Sequence, residues 1–180
     1  MVESRSPPSP GAPTPAELVT PDAAHAASAA ELAPKAIDPR ILEIGAYWLG
    51  IRPARGLLPG RQHLDPVDIP KLLPIVFLAD VERGVEPRFR WRLRGTTLEI
   101  ISGRDYTGRY FDQTYGDFAT SRAREQLIAV SNGAACWWLG QPFSTRPRDV
   151  THAERLMLPL AADGRNVDMI LGLTVFALKG

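Results

Sequence analysis

Between Arg88 and Arg94 every second residue is arginine and the residues between are Phe89, Trp91 and Leu93. Only an extended strand sorts such an alternation onto two faces, one apolar and one charged. A strand of this kind belongs to a sheet with one covered side, which is the habit of antiparallel sheets. Its partner is next to it in sequence: Ile75 to Val81 is apolar and partly β-branched, and Glu82 to Pro87 supplies turn residues, so the two runs read as a hairpin.

The rest of the chain is organised around that hairpin. Asp38-Pro39 supplies an N-cap oxygen and a proline suited to the first helical position, and Ile41, Ile44, Trp48 and Ile51 recur at helical spacing up to Pro53. A Gly- and Pro-punctuated connector follows, then a short helix begun by Asp65-Pro66 and limited by Pro74. After the hairpin, Thr96 with Glu99 fits a capping box that opens a short helix stopped by Gly103. Asp105 to Phe111 reads as a loop, and Tyr115 to Ser131 as a longer helix carrying Ala119, Ala123, Leu127 and Val130, ended by Asn132-Gly133. Three more strands are predicted over Ala135 to Phe143, Glu154 to Ala161 and Val167 to Leu178, the last two joined by the turn Asp163-Gly164-Arg165-Asn166. The predicted class is therefore α+β, a five-stranded antiparallel sheet with a helical insert between strands two and three and an amphipathic N-terminal helix. Residues 1–36 are Pro- and Ala-rich with few large apolar groups and are expected to be a disordered tail, with His25 inert, leaving residues 37–180 as the domain.

Charge and cysteine usage restrict the function classes. With 21 basic and 20 acidic side chains the formal net charge is +1, so no broad field draws in nucleic acid or an anionic membrane. The single cysteine, Cys136, has no internal partner, no signal-peptide core opens the sequence, and no apolar run reaches the roughly 18–20 residues of a membrane helix; a soluble cytoplasmic chain is expected. Phosphate-binding Gly-rich loops, His-Glu-x-x-His, paired Cys-x-x-Cys and Gly-x-Ser-x-Gly are all missing from the sequence, which argues against nucleotide hydrolysis, zinc chemistry and a serine hydrolase.

The element order, together with Arg92-Leu93-Arg94-Gly95-Thr96, Gly103-Arg104-Asp105-Tyr106-Thr107-Gly108-Arg109, Leu158-Pro159-Leu160 before Asp163-Gly164, and the connector Leu58-Pro59-Gly60-Arg61 to Leu64-Asp65-Pro66, resembles the PAS sensor-domain superfamily, specifically its small stand-alone bacterial branch. The likeness runs from Ile41 to Phe176, although Arg61-Gln62-His63-Leu64 departs from the pattern that branch usually carries before its Asp-Pro. The resemblance implies a non-catalytic sensory or regulatory module that holds a small ligand between sheet and helices, or docks a signalling partner through its sheet face and flanking helix. It leaves the cofactor open. Haem is disfavoured because Thr96 to Gly133 holds no histidine, and photoactive flavin because Cys136 lies after the long helix, whereas such domains carry an Asn-Cys-Arg motif within the insert.

Candidate ligand residues are Phe89, Trp91 and Leu93 on one strand face, with Tyr106, Phe111 and Leu127 from the insert; the competing reading is that these side chains only fill a core. Trp137 and Trp138 are neighbours on a strand, so one of them must face away from any such cavity. Arg88, Arg90, Arg92 and Arg94 are expected on the opposite face from Phe89 and Trp91, where Arg90 and Arg92 would meet an anion or partner, or form a solvated face paired with acids and covered by the Ile41 to Ile51 helix. The near-neutral whole favours the second, and nucleic acid is disfavoured. Ile41, Ile44 and Trp48 need cover from the chain's own sheet or from a second subunit, hence an expected homodimer. His63 and His152 read as surface or hydrogen-bonding histidines, and Cys136 as a small buried hydrophobe. Two rival functions remain: a small α+β enzyme using Asp105 or His152 as general base, and a binder of cyclic dinucleotides or nucleic acid through the arginine strand.

Overall fold

The computed structural model describes residues 21–140 and 150–178. Five antiparallel strands form one sheet in the order β2-β1-β5-β4-β3: β1 (Val76–Glu82), β2 (Arg88–Arg94), β3 (Cys136–Gly140), β4 (Val150–Leu160) and β5 (Met169–Leu178). The α+β class and the helical insert between β2 and β3 are those expected. That insert comprises α3 (Thr96–Ser102), α4 (Phe111–Thr114) and α5 (Arg122–Ser131), and two helices precede the sheet, α1 (Ala29–Leu32) and α2 (Pro39–Gly50).

The two groups of helices cover opposite faces. Asp38 caps α2 by accepting from Arg40 N at 2.9 Å, and α2 lies across β4 and β5 with Ile41, Ile44 and Trp48 all buried. Trp48 Nε1 donates to Pro159 O at 3.0 Å, which satisfies the one polar atom this stripe carries inward. The stripe is thus covered by the chain's own sheet and, contrary to expectation, needs no second subunit to cover it. The helix does not cover the arginines of β2, contrary to expectation, because it packs on the other half of the sheet.

Residues 21–36 are not a disordered tail; residues 1–20 lie outside those described. Asp22 bridges Ala134, Ala135 N donates to Pro21 O at 2.9 Å, and Leu32, Ala23, Ala26 and Ala33 are buried in the core. Alanine loses no side-chain entropy on burial, so a segment poor in large apolar groups still docks where it fits closely. It fits here because α2 offers Gly45 at the contact, where a Cβ would lie 3.3 Å from the Ala29 Cβ.

Two further expectations are corrected inside the insert. α5 begins at Arg122, capped by Ser121, while residues 115–121 form a loop and a single 3₁₀ turn, so the apparent helical period through Ala119 is not a helix. The cap of α3 is Gly95, not Thr96, and no capping box forms. A Cβ at Gly95 would run into the backbone carbonyls of Leu73 and Pro74, so the chain can pass from β2 into α3 at this point only as glycine. β3 is described to Gly140, and the last expected residues of that strand lie outside the described ones.

Candidate functional site

The face of the sheet under α3, α4 and α5 carries the site, and one irregularity decides what it contains. In the β1–β2 ladder Ala79 pairs with Trp91 but Leu78 pairs with Leu93, so Arg92 is the extra residue of a β-bulge. A bulge reverses the alternation beyond it. Phe89 and Trp91 point toward the insert, as their spacing predicts, but Leu93 is turned out and left 43% exposed. Arg94 takes the inward place opposite Phe77.

A cavity of about 60 Å³ lies between this face and the insert. As it stands, that is space for a few waters or a very small organic group. Its apolar wall is Phe77 from β1, Trp91 from β2, Met157 and Phe176 from β4 and β5, and Phe111 and Leu127 from α4 and α5. Trp91 stacks on Phe111 at 3.8 Å between ring centroids and takes Phe77 edge-on at 5.3 Å, a rigid aromatic surface. The polar wall is Arg94, Ser102, Tyr106, Tyr115, Arg155 and Thr174.

Of the residues singled out from sequence, Trp91, Tyr106, Phe111 and Leu127 are brought together on this wall. Phe89 is buried behind it, with its ring 6.4 Å from that of Phe111, and Leu93 is on the opposite face for the reason given. Reasoning from sequence missed Arg94, Arg155 and Tyr115. Arg155 was visible in principle, since it shares the parity of Met157 in an alternating strand; Arg94 was hidden by the bulge.

The two arginines are held by neutral groups. Arg94 donates through Nη1 to Ser102 Oγ (3.1 Å) and Arg104 O (3.2 Å) and through Nη2 to Leu98 O (3.1 Å), while its buried Nε has no partner. Its guanidinium lies over the rings of Trp91 and Tyr106, at 4.8 and 4.9 Å. Arg155 donates through Nε to Thr174 Oγ1 at 3.2 Å. Burial pushes the pKa of each arginine down, and for Arg155 the charge of Arg94 adds to the effect; burial pushes Tyr115 up. Among the described residues neither arginine has a carboxylate within ion-pair distance, and Glu99 and Asp105 act on Arg94 only from further away.

The other arginines of β2 are paired with carboxylates outside the cavity, Arg88 with one from α4 of the insert. Arg90 contacts Asp80 at 3.2 Å and Glu82 at 3.4 Å, Arg92 reaches Asp80 at 3.9 Å, and Arg88 pairs with Asp112 at 3.0 Å while lying over the Tyr110 ring. Asp105 is exposed and spends its carboxylate on Thr107 N at 2.7 Å, and half-buried His152 meets Thr151 Oγ1 at 3.2 Å; neither lines the cavity, so the general-base arrangement is not assembled there. His63 accepts from Gly60 N at 2.9 Å. Trp138 lies on the Arg155 side of the sheet, 5.4 Å from its guanidinium, and Trp137 donates to Glu154.

A family model described as PAS domain matches residues 38–175. The chain belongs to the PAS domain family. A search of curated proteins finds no match. Among solved structures the PAS chain is similar to one titled "Structure of an RNA-binding Light-Oxygen-Voltage Receptor", at 19% identity and a TM-score of 0.43, over 69% of this chain and 37% of that one. Among the described residues of the PAS chain, no helix is long and apolar enough to cross a membrane.

Proposed function

We propose that this PAS domain is a non-catalytic cytoplasmic sensor that binds a small molecule in the cavity between its sheet and α3–α5 and reports occupancy through α2 to a signalling partner. The observation that supports the reading is the double use of β4. Arg155 faces the cavity, while the adjacent Glu154 faces the other side, buried, and accepts from Ile37 N at 2.9 Å, Asp38 N at 2.8 Å and Trp137 Nε1 at 2.8 Å. Those first two donors are the backbone at the start of α2. A displacement of β4 by a ligand therefore bears directly on the anchorage of the flanking helix, and a ligand that prefers one arrangement shifts the population toward it.

Native mass spectrometry of the protein purified from its own host tests this. The expected result is a small-molecule mass that is lost on denaturation. A protein that is empty, and that no small organic compound stabilises against heat, would leave the cavity as core and the sensor reading without support.

A further inference from the structure

The inference concerns the class of ligand, and it rests on the reading of this cavity as a ligand site. The polar atoms left without a partner at this wall are all donors. Arg155 has no protein partner for its Nη groups among the described residues, and Arg94 Nε and Trp91 Nε1 are buried without acceptors. The side-chain oxygens that line the cavity are the hydroxyls of Ser102, Thr174, Tyr106 and Tyr115, and with the carbonyls of Leu98 and Arg104 they are neutral acceptors that cannot neutralise charge. Two cations thus share a small space with no carboxylate in contact among the described residues, an arrangement that costs free energy until an anion enters. The remaining surface is aromatic and aliphatic, so inorganic ions alone would leave it wet.

We propose that the cavity takes a small organic carboxylate with an apolar or aromatic body, its oxygens held by Arg94 and Arg155 and its body against Trp91, Phe111 and Leu127. Charge-assisted, bidentate contacts to guanidinium make the carboxylate the recognised feature. Occupation by a ring requires α3 and α4 to move outward, since the cavity seen here holds only about 60 Å³.

Thermal shift and calorimetry on the full chain in low-chloride buffer decide it, with benzoate, its neutral analogue benzamide, and inorganic phosphate as probes. Benzoate is expected to raise the melting temperature and to bind about ten-fold or more tightly than benzamide. Arg94→Gln and Arg155→Gln should each remove that preference, and Arg94→Lys should restore part of it, with circular dichroism confirming that each variant is folded. If Arg155→Gln does not fold, Arg94→Gln alone carries the test. Equal binding of benzamide, or unchanged selectivity in folded Arg94→Gln, would overturn the carboxylate while sparing the cavity. Stabilisation by phosphate equal to that by benzoate means an adventitious ion only and also overturns it. No binding of any probe would remove both the inference and the ligand-site reading.

Discussion

Cys136 is fully buried on β3, and burial pushes its thiol up to about 12 from an ordinary value of 9.0, despite the opposing charge of Arg155. A thiol that high holds no thiolate at neutral pH, so it is neither a nucleophile nor a redox handle in the folded protein. Thiol-specific reagents should label it only at the rate of unfolding; rapid labelling of native protein would contradict the burial. The linkage has a definite sign. Between the two values the unfolded state has released the proton and the native state has kept it, so stability that is complete below about pH 9 falls as pH rises toward about 12. Urea midpoints at about pH 8 and about pH 10.5 for the native sequence and Cys136→Ala should show a smaller alkaline loss in the variant, which itself costs about 1 kcal/mol at the lower pH. Identical losses would mean that other groups carry the whole alkaline transition.

At the scale of elements, strands were the most legible part of the sequence because alternation is a two-state code that burial enforces. Arg88 to Trp91 sort as their spacing says, and β4 and β5 show the mixed apolar runs of strands covered on both sides. The code fails one residue later. A bulge leaves no mark in an Arg-Leu-Arg run, and it exchanges Leu93 for Arg94 on the cavity wall, so half of the charged site could not be placed from spacing. The docking of residues 21–36 was equally hidden, because alanines announce helix propensity and not the close contact with Gly45 that holds them. Gly95 tests the junction beside the bulge. Gly95→Ala should destabilise by about 1–3 kcal/mol, since the atoms in the way are backbone carbonyls that cannot rotate aside. A melting temperature equal to that of the native sequence would show that the β2–α3 junction is looser than its packing. Glu154 tests the other face. Glu154→Ala strands the amides of Ile37 and Asp38 and the indole N–H of Trp137, and the expected loss is about 2–4 kcal/mol by urea denaturation.

In the whole molecule the sheet is a partition: aromatic rings and two arginines on one side, and on the other a helix whose N-cap amide, with the amide before it, hangs from a buried carboxylate. Neighbouring residues of β4 belong to the two sides, so coupling needs no long route through the fold, only a shift of one strand between two packed arrangements. This makes a prediction about amide exchange. With saturating benzoate, protection should rise in α5, where Leu127 meets the ligand, and should also change in α2 over residues 41–48, which lie across the sheet from it. In Glu154→Ala the α5 response should persist while the α2 response is lost, because the strand no longer holds the helix start. A merely structural role for Glu154 predicts something different: faster exchange of α2 in the variant with and without ligand, and the same ligand-induced difference in both proteins. If α2 responds equally in the two, the output runs through another element, and the compensated arginine face of β2, open on the half of the sheet that α2 leaves uncovered, becomes the surface through which a partner would read the state.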